Sequence, residues 1–150
     1  NNNNMNNNNR TMTAARTSTE SVKTILRRDK VVTDLFYTIF LDRYPDVRTY
    51  FEGVDLQQQA VMLGMALLMV EQHYQHRYPA TERYLKVLGQ RHSRREIPAE
   101  LYSQWRDCLL ETLSRFHGDG WSDELQQQWK EAVDLASDVM LSGYDAPQGG

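Results

Sequence analysis

Four prolines, at positions 45, 79, 98 and 147, divide the chain into stretches where apolar residues recur three and four apart and never in strict alternation. That spacing gathers apolar side chains on one stripe of a helix but scatters them over both faces of a strand, so an all-α fold follows. Ser18 or Thr19 can cap a first helix that buries Val22, Ile25 and Leu26. A second helix, about 30–43, turns Val32, Leu35, Phe36, Ile39 and Phe40 inward, and Pro45 stops it. After a turn over 45–53, Asp55 caps a third helix running to about Tyr74. Met62, Leu63, Met65, Leu67, Leu68 and Met69 cover more than one of its faces, which predicts a deeply enclosed helix. Past Pro79 comes a helix with Leu85, Leu88 and, weakly, Val87 on one side. Pro98 at a first helical position opens another, to Leu113, with Leu101, Trp105, Leu109 and Leu113 in line. Ser122 caps the last, which buries Leu125, Trp129, Val133, Ala136 and Met140 until Gly143 and Pro147 end it.

A chain of 150 residues is one domain, large enough to bury a core without staples. The expected division is a tail at 1–17, which includes the Asn tract NNNNMNNNNR, a domain at 18–144 and a short tail at 145–150. A net charge of -3 without a long basic run argues against nucleic acid as a partner. The longest apolar stretch, Ala60 to Val70, is too short to span a bilayer, so no membrane association is expected. Cys108, the single cysteine, has no internal disulfide partner, which fits a reducing, cytoplasmic setting. It sits in an apolar helical run, where a buried, inert thiol is the expectation.

His92 follows Leu88 by four residues, so its imidazole projects from the apolar face of its helix. Such a histidine is either a core residue that donates to a backbone carbonyl or a buried metal ligand. Three segments bear on the choice. FYTIFLDRYPDVRTYF, RHSRREIPAELY and WSDELQQQWKEAVDLASDVM, in this order and at these separations, resemble the globin family, most closely single-domain bacterial haemoglobins and the haem domain of flavohaemoglobins. The resemblance covers roughly residues 20–142. It implies a globin fold of six to eight helices around a pocket for haem b, iron protoporphyrin IX.

Carried over position by position, the resemblance makes His92 the proximal iron ligand and lays Phe51 against a pyrrole edge. On the other side it puts Gln59 at the distal position, with Gln57 and Gln58 competing for that register, Leu63 one turn later, and Tyr37 where several bacterial globins direct a phenol at bound gas. Leu88, Ile97, Leu101 and Trp105, with Met62 or Val87, would line the pocket, and Arg91, Arg94 and Arg95 would meet the propionates. His73 and His76 lie too far along the third helix to reach the iron and are expected at the surface. Tyr102 matches the tyrosine that flavohaemoglobins place beside the proximal histidine. The glutamate that completes that arrangement is missing, since the register from Trp129 puts Tyr144 or Gly143 there. His92 is therefore expected to donate its second ring hydrogen to a backbone carbonyl near Leu88, and peroxidase-like activity falls into doubt.

The function implied is binding of dioxygen, and of NO and CO, for storage or scavenging. Nitric oxide dioxygenase turnover would need an external reductase, because no flavin or nicotinamide segment is present. The alternative is a gas-sensor input domain of a larger signalling protein, in which ligand binding shifts a conformational equilibrium.

Overall fold

The computed structural model describes residues 17–144, and these form six α-helices and two short 3-10 segments. The helices are α1 (Ser18–Arg27), α2 (Asp29–Arg43), α3 (Leu56–His76), α4 (Pro79–Arg94), α5 (Leu101–His117) and α6 (Asp123–Leu141), with 3-10 turns at Pro45–Phe51 and Gly118–Gly120. The expected tails lie outside the described residues, except for Thr17. Among the described residues no single helix is long and apolar enough to cross a membrane.

Asp55 and Ser122 cap α3 and α6 through the backbone N–H groups of Gln57 and Leu125. The cap of α1 is Thr17, one residue earlier than expected, where its hydroxyl accepts from Glu20 N–H at 3.2 Å. Pro98 does not begin α5. It heads a turn whose carbonyl accepts from Leu101 N–H, so the helix starts at Leu101 and runs on to His117.

The core forms where α2, α3, α5 and α6 cross, around Phe36, Leu67, Leu109, Leu113, Leu125 and Trp129, all sealed from solvent. On α6 the expected stripe of Leu125, Trp129, Val133, Ala136 and Met140 is buried throughout. On α3 the expectation of deep enclosure is wrong. Ala60, Leu63, Gly64, Leu67, Val70 and Glu71 make one buried face, while Met62 and Met65 are 56% and 53% exposed. Composition alone suggested burial, but one helix has only one face turned to the core. Leu26 likewise stays 37% exposed.

Polar side chains hold α1 as much as apolar ones do. Ser18, Ser21 and Thr24 are buried beside Val22 and Ile25. Ser18 and Thr19 donate to the buried carboxylate of Glu71 on α3 at 3.4 and 2.8 Å. The indole N–H of Trp129 donates to Ser21 Oγ at 2.9 Å, and that hydroxyl meets His117 Nε2 at 2.7 Å. His73, expected at the surface, is 4% exposed and bonds Thr81 Oγ1 at 2.9 Å, tying α3 to α4. His76 is exposed and stacks on Tyr78.

α4 and α6 approach so closely at Gly89 that a Cβ there would collide with the Met140 carbonyl. Glycine allows this crossing because it presents no side chain. Thr33 is 1% exposed, and its hydroxyl has no hydrogen-bond partner among the described residues. A buried unmade hydrogen bond costs about 1–3 kcal/mol, and valine keeps the shape without the oxygen. Thr33→Val is therefore expected to stabilise the fold by about 1 kcal/mol, read as a rise of about 2–4 °C in Tm. A fall in Tm would show that the hydroxyl is satisfied in solution.

Candidate functional site

Two groups of side chains carry the chemistry. The first lies on α2, the Pro45–Phe51 turn and α3. Tyr37 is 7% exposed, and its ring meets the Phe51 ring edge-on at 5.0 Å. Burial pushes the Tyr37 hydroxyl up to about 12, and the side chain of Gln59 nearby opposes that rise. Of the three consecutive glutamines, Gln57 and Gln58 are exposed and Gln59 is half-buried.

The second group surrounds His92 in the last turn of α4. Helix α4 ends at Arg94, and Glu96 adopts φ 58°, which turns the chain so that Ile97 N–H donates to the His92 carbonyl at 3.1 Å. The His92 ring is half-buried, and Nδ1 lies 3.3 Å from the Tyr102 hydroxyl on α5. The expected partner, a backbone carbonyl near Leu88, is thus replaced by a phenol. α5 starts at Leu101, which sets Tyr102 on its first turn, beside the end of α4. Burial, and then the positive charge of Arg95, hold the imidazole below its ordinary value, which disfavours its charged form.

Arg95 links the two groups. Its guanidinium donates to the Tyr50 carbonyl at 2.7 Å, tying the end of α4 to the turn that carries Phe51. Arg91 and Arg94 are exposed. Phe51, Leu88, Ile97, Leu101 and Trp105 are all half-buried, while Leu63 is buried at 5% exposure. Val87 is 40% exposed and falls about 140° around α4 from His92, so it faces away from that imidazole. Cys108 is fully buried and its thiol is pushed up by burial, as befits an inert core residue.

The donor set limits what these groups can hold. Among the described residues no three His, Cys, Asp or Glu side chains gather into a metal cage. A single imidazole suits a metal whose other donors come from a macrocycle, and half-buried apolar and aromatic side chains on the Pro45–Phe51 turn, α4, α5 and the connection between those two helices suit its flat faces. These residues fit a haem. Sequence reasoning did not foresee two features here: the Tyr144 hydroxyl, 3.1 Å from Tyr102, and the Tyr50 carbonyl. Register placed Tyr144 or Gly143 near this point, but not what the phenol would bond.

Comparison with known proteins bears on the fold. A globin-like protein of Aquifex aeolicus (strain VF5), itself uncharacterised, is 22% identical over 111 residues, covering 74% of this chain and 77% of that one. The globin family model matches residues 34–140, from α2 into the last turn of α6. The chain belongs to the globin family.

Proposed function

We propose that this globin binds haem b through His92 Nε2 and uses Tyr37 and Gln59 to hold dioxygen on the opposite side. The observation that carries the reading is the half-buried His92 imidazole in a chain of the globin family, with Nδ1 3.3 Å from the Tyr102 hydroxyl. Haem, when bound, would supply an iron able to bind both an imidazole and a diatomic gas. His92 would provide the imidazole, a ring whose charged form is disfavoured and whose Nδ1 already faces Tyr102. Leu88, Leu101 and Trp105 would pack against the porphyrin and keep water from its proximal side, and Phe51 would fix its orientation. Arg91 would meet a propionate, and Arg95 could do so only by sharing with the Tyr50 carbonyl.

Hydrogen-bond donors favour a gas that draws negative charge onto itself. Tyr37 would therefore select dioxygen over carbon monoxide and slow its release. Slow release suits storage or scavenging, and NO detoxification would add an external reductase. Gln59 lacks an imidazole and would not itself compete with NO, CO or dioxygen for the iron.

The reading is tested by the absorption spectrum of the reduced protein with and without carbon monoxide. A Soret band that moves on adding the gas is expected, and absence of the band refutes haem binding. The role of Tyr37 is tested by stopped-flow release. A hydrogen bond to a charged acceptor contributes about 1.5–3 kcal/mol, so Tyr37→Phe is expected to speed dioxygen loss roughly 10- to 100-fold. Release of carbon monoxide should hardly change. Equal acceleration of both gases would mean that the substitution opened the pocket instead of removing a donor.

A further inference from the structure

α3 carries two apolar stripes, and the fold uses one of them. The buried stripe is Ala60, Leu63, Gly64, Leu67 and Val70, continued by Glu71. About 140° around the helix from it runs a second line, Gln58, Val61, Met65, Leu68 and Gln72, in alternating steps of three and four residues. Val61 and Met65 keep more than half of their surface in solvent, and Leu68 is half-buried. Apolar side chains at this spacing make a seam of the kind that packs against a second helix, knob into hole. Gln59 falls about 140° and Leu63 about 180° from the centre of the seam, so it lies away from the side assigned to gas binding. Exposed Leu26 of α1 broadens it near the middle, since its Cδ2 would touch a Cβ on Gly64 at 3.4 Å.

Charge selects the partner. No charged residue stands between Asp55 and Glu71, whereas a helix face turned to water ordinarily carries them. Exposed acidic groups, Glu52 and Asp55, sit at the start of α3, and exposed Arg77 sits at its end. A charged partner would find nothing along the seam to pair with. A second copy laid parallel would set acid against acid and base against base. Laid antiparallel across a twofold axis, the copy sets the acidic start of each helix against the basic end of the other. Methionine suits the centre of such a contact, because its unbranched thioether adapts to its own image.

We propose that two copies of this chain associate through the outer face of α3, as an antiparallel helix pair with Met65 at the twofold axis. In that register Val61 meets the partner's Leu68 and Gln58 meets the partner's Gln72. α3 has 21 residues and is about 30 Å long, and one pair of such helices falls at the small end of specific interfaces. The dimer is therefore a micromolar one. The contact needs no haem, so its failure would leave the haem reading untouched.

The test is sedimentation equilibrium of the full chain over roughly 1–200 μM. Wild type is expected to pass from monomer to dimer across this range. Met65→Lys sets two like charges face to face at the axis and should weaken association by at least roughly tenfold. Residue 65 is exposed, so the Tm of the dilute variant should stay within about 2 °C of wild type, which separates a lost contact from a lost fold. Orientation is read by air oxidation. Met65→Cys should form a disulfide between copies, whereas Val61→Cys should not, because antiparallel packing sets the two Cα atoms about 12 Å apart along the axis. Cys108 is buried and leaves both readings clear. A chain that stays monomeric throughout assigns the face to some other partner and overturns the proposal. A Met65→Lys variant that associates as tightly as wild type also overturns it, and so does cross-linking of Val61→Cys as fast as Met65→Cys.

Discussion

His92→Ala is expected to abolish stable haem uptake while leaving the helices in place. The imidazole is half-buried in the last turn of α4, and the side-chain bond it makes to Tyr102 is a long one at 3.3 Å. Its removal should change the stability of the haem-free protein by no more than about 1 kcal/mol. Haem binding loses its axial bond, with an effect well beyond the roughly 10- to 100-fold that removal of an outer partner of a metal ligand costs. The Soret band of the purified variant should be absent or weak and unresponsive to carbon monoxide. Free imidazole added with haem should restore part of it, because the small molecule fits the space left by the ring. A variant with wild-type haem content would remove His92 as the ligand.

Gly89→Ala is expected to be the most damaging of the alanine substitutions at Gly53, Gly64, Gly89, Gly118 and Gly143. The new Cβ would occupy the position of the Met140 backbone carbonyl, and a backbone atom cannot swing aside as a side chain can. Helices α4 and α6 would have to part. Overpacking a tight contact costs about 1–3 kcal/mol, and with backbone on both sides the upper end applies. A loss of about 3 kcal/mol lowers Tm by roughly 6–12 °C for a chain of this size. Because Gly89 is three residues before His92, the same displacement should hasten haem loss. A Tm within 2 °C of wild type would show that the crossing is looser than described.

The helical framework was legible wherever a single face decides burial. The stripe on α6 and the caps Asp55 and Ser122 depend on residues within four positions of each other, and local spacing reveals them. What escaped depends on distant partners. The exposure of Met62 and Met65 reflects which side of α3 meets α2 and α6, and composition does not record that choice. His73 is buried because Thr81, beyond a corner, offers its hydroxyl. At the site, the residue types at 37, 59, 92 and 102 suggested the chemistry through family resemblance, whereas the contact of His92 with Tyr102 needed coordinates. That Gln59 is half-buried and its two neighbours are exposed is a matter of helix phase. The contact of the Tyr144 phenol with Tyr102 depends on how closely the chain after α6 hugs α4.

The family match begins at residue 34, yet the cooperative unit begins earlier. Cutting away α1 would do more than uncover Val22 and Ile25. It would strip hydroxyl partners from a carboxylate, an indole and an imidazole belonging to three other helices, all of them shut away from water. Grease alone would let such a helix peel off and return. These directional bonds make it a keystone, so a trimmed version starting at α2 would be a poor stand-in for the intact chain.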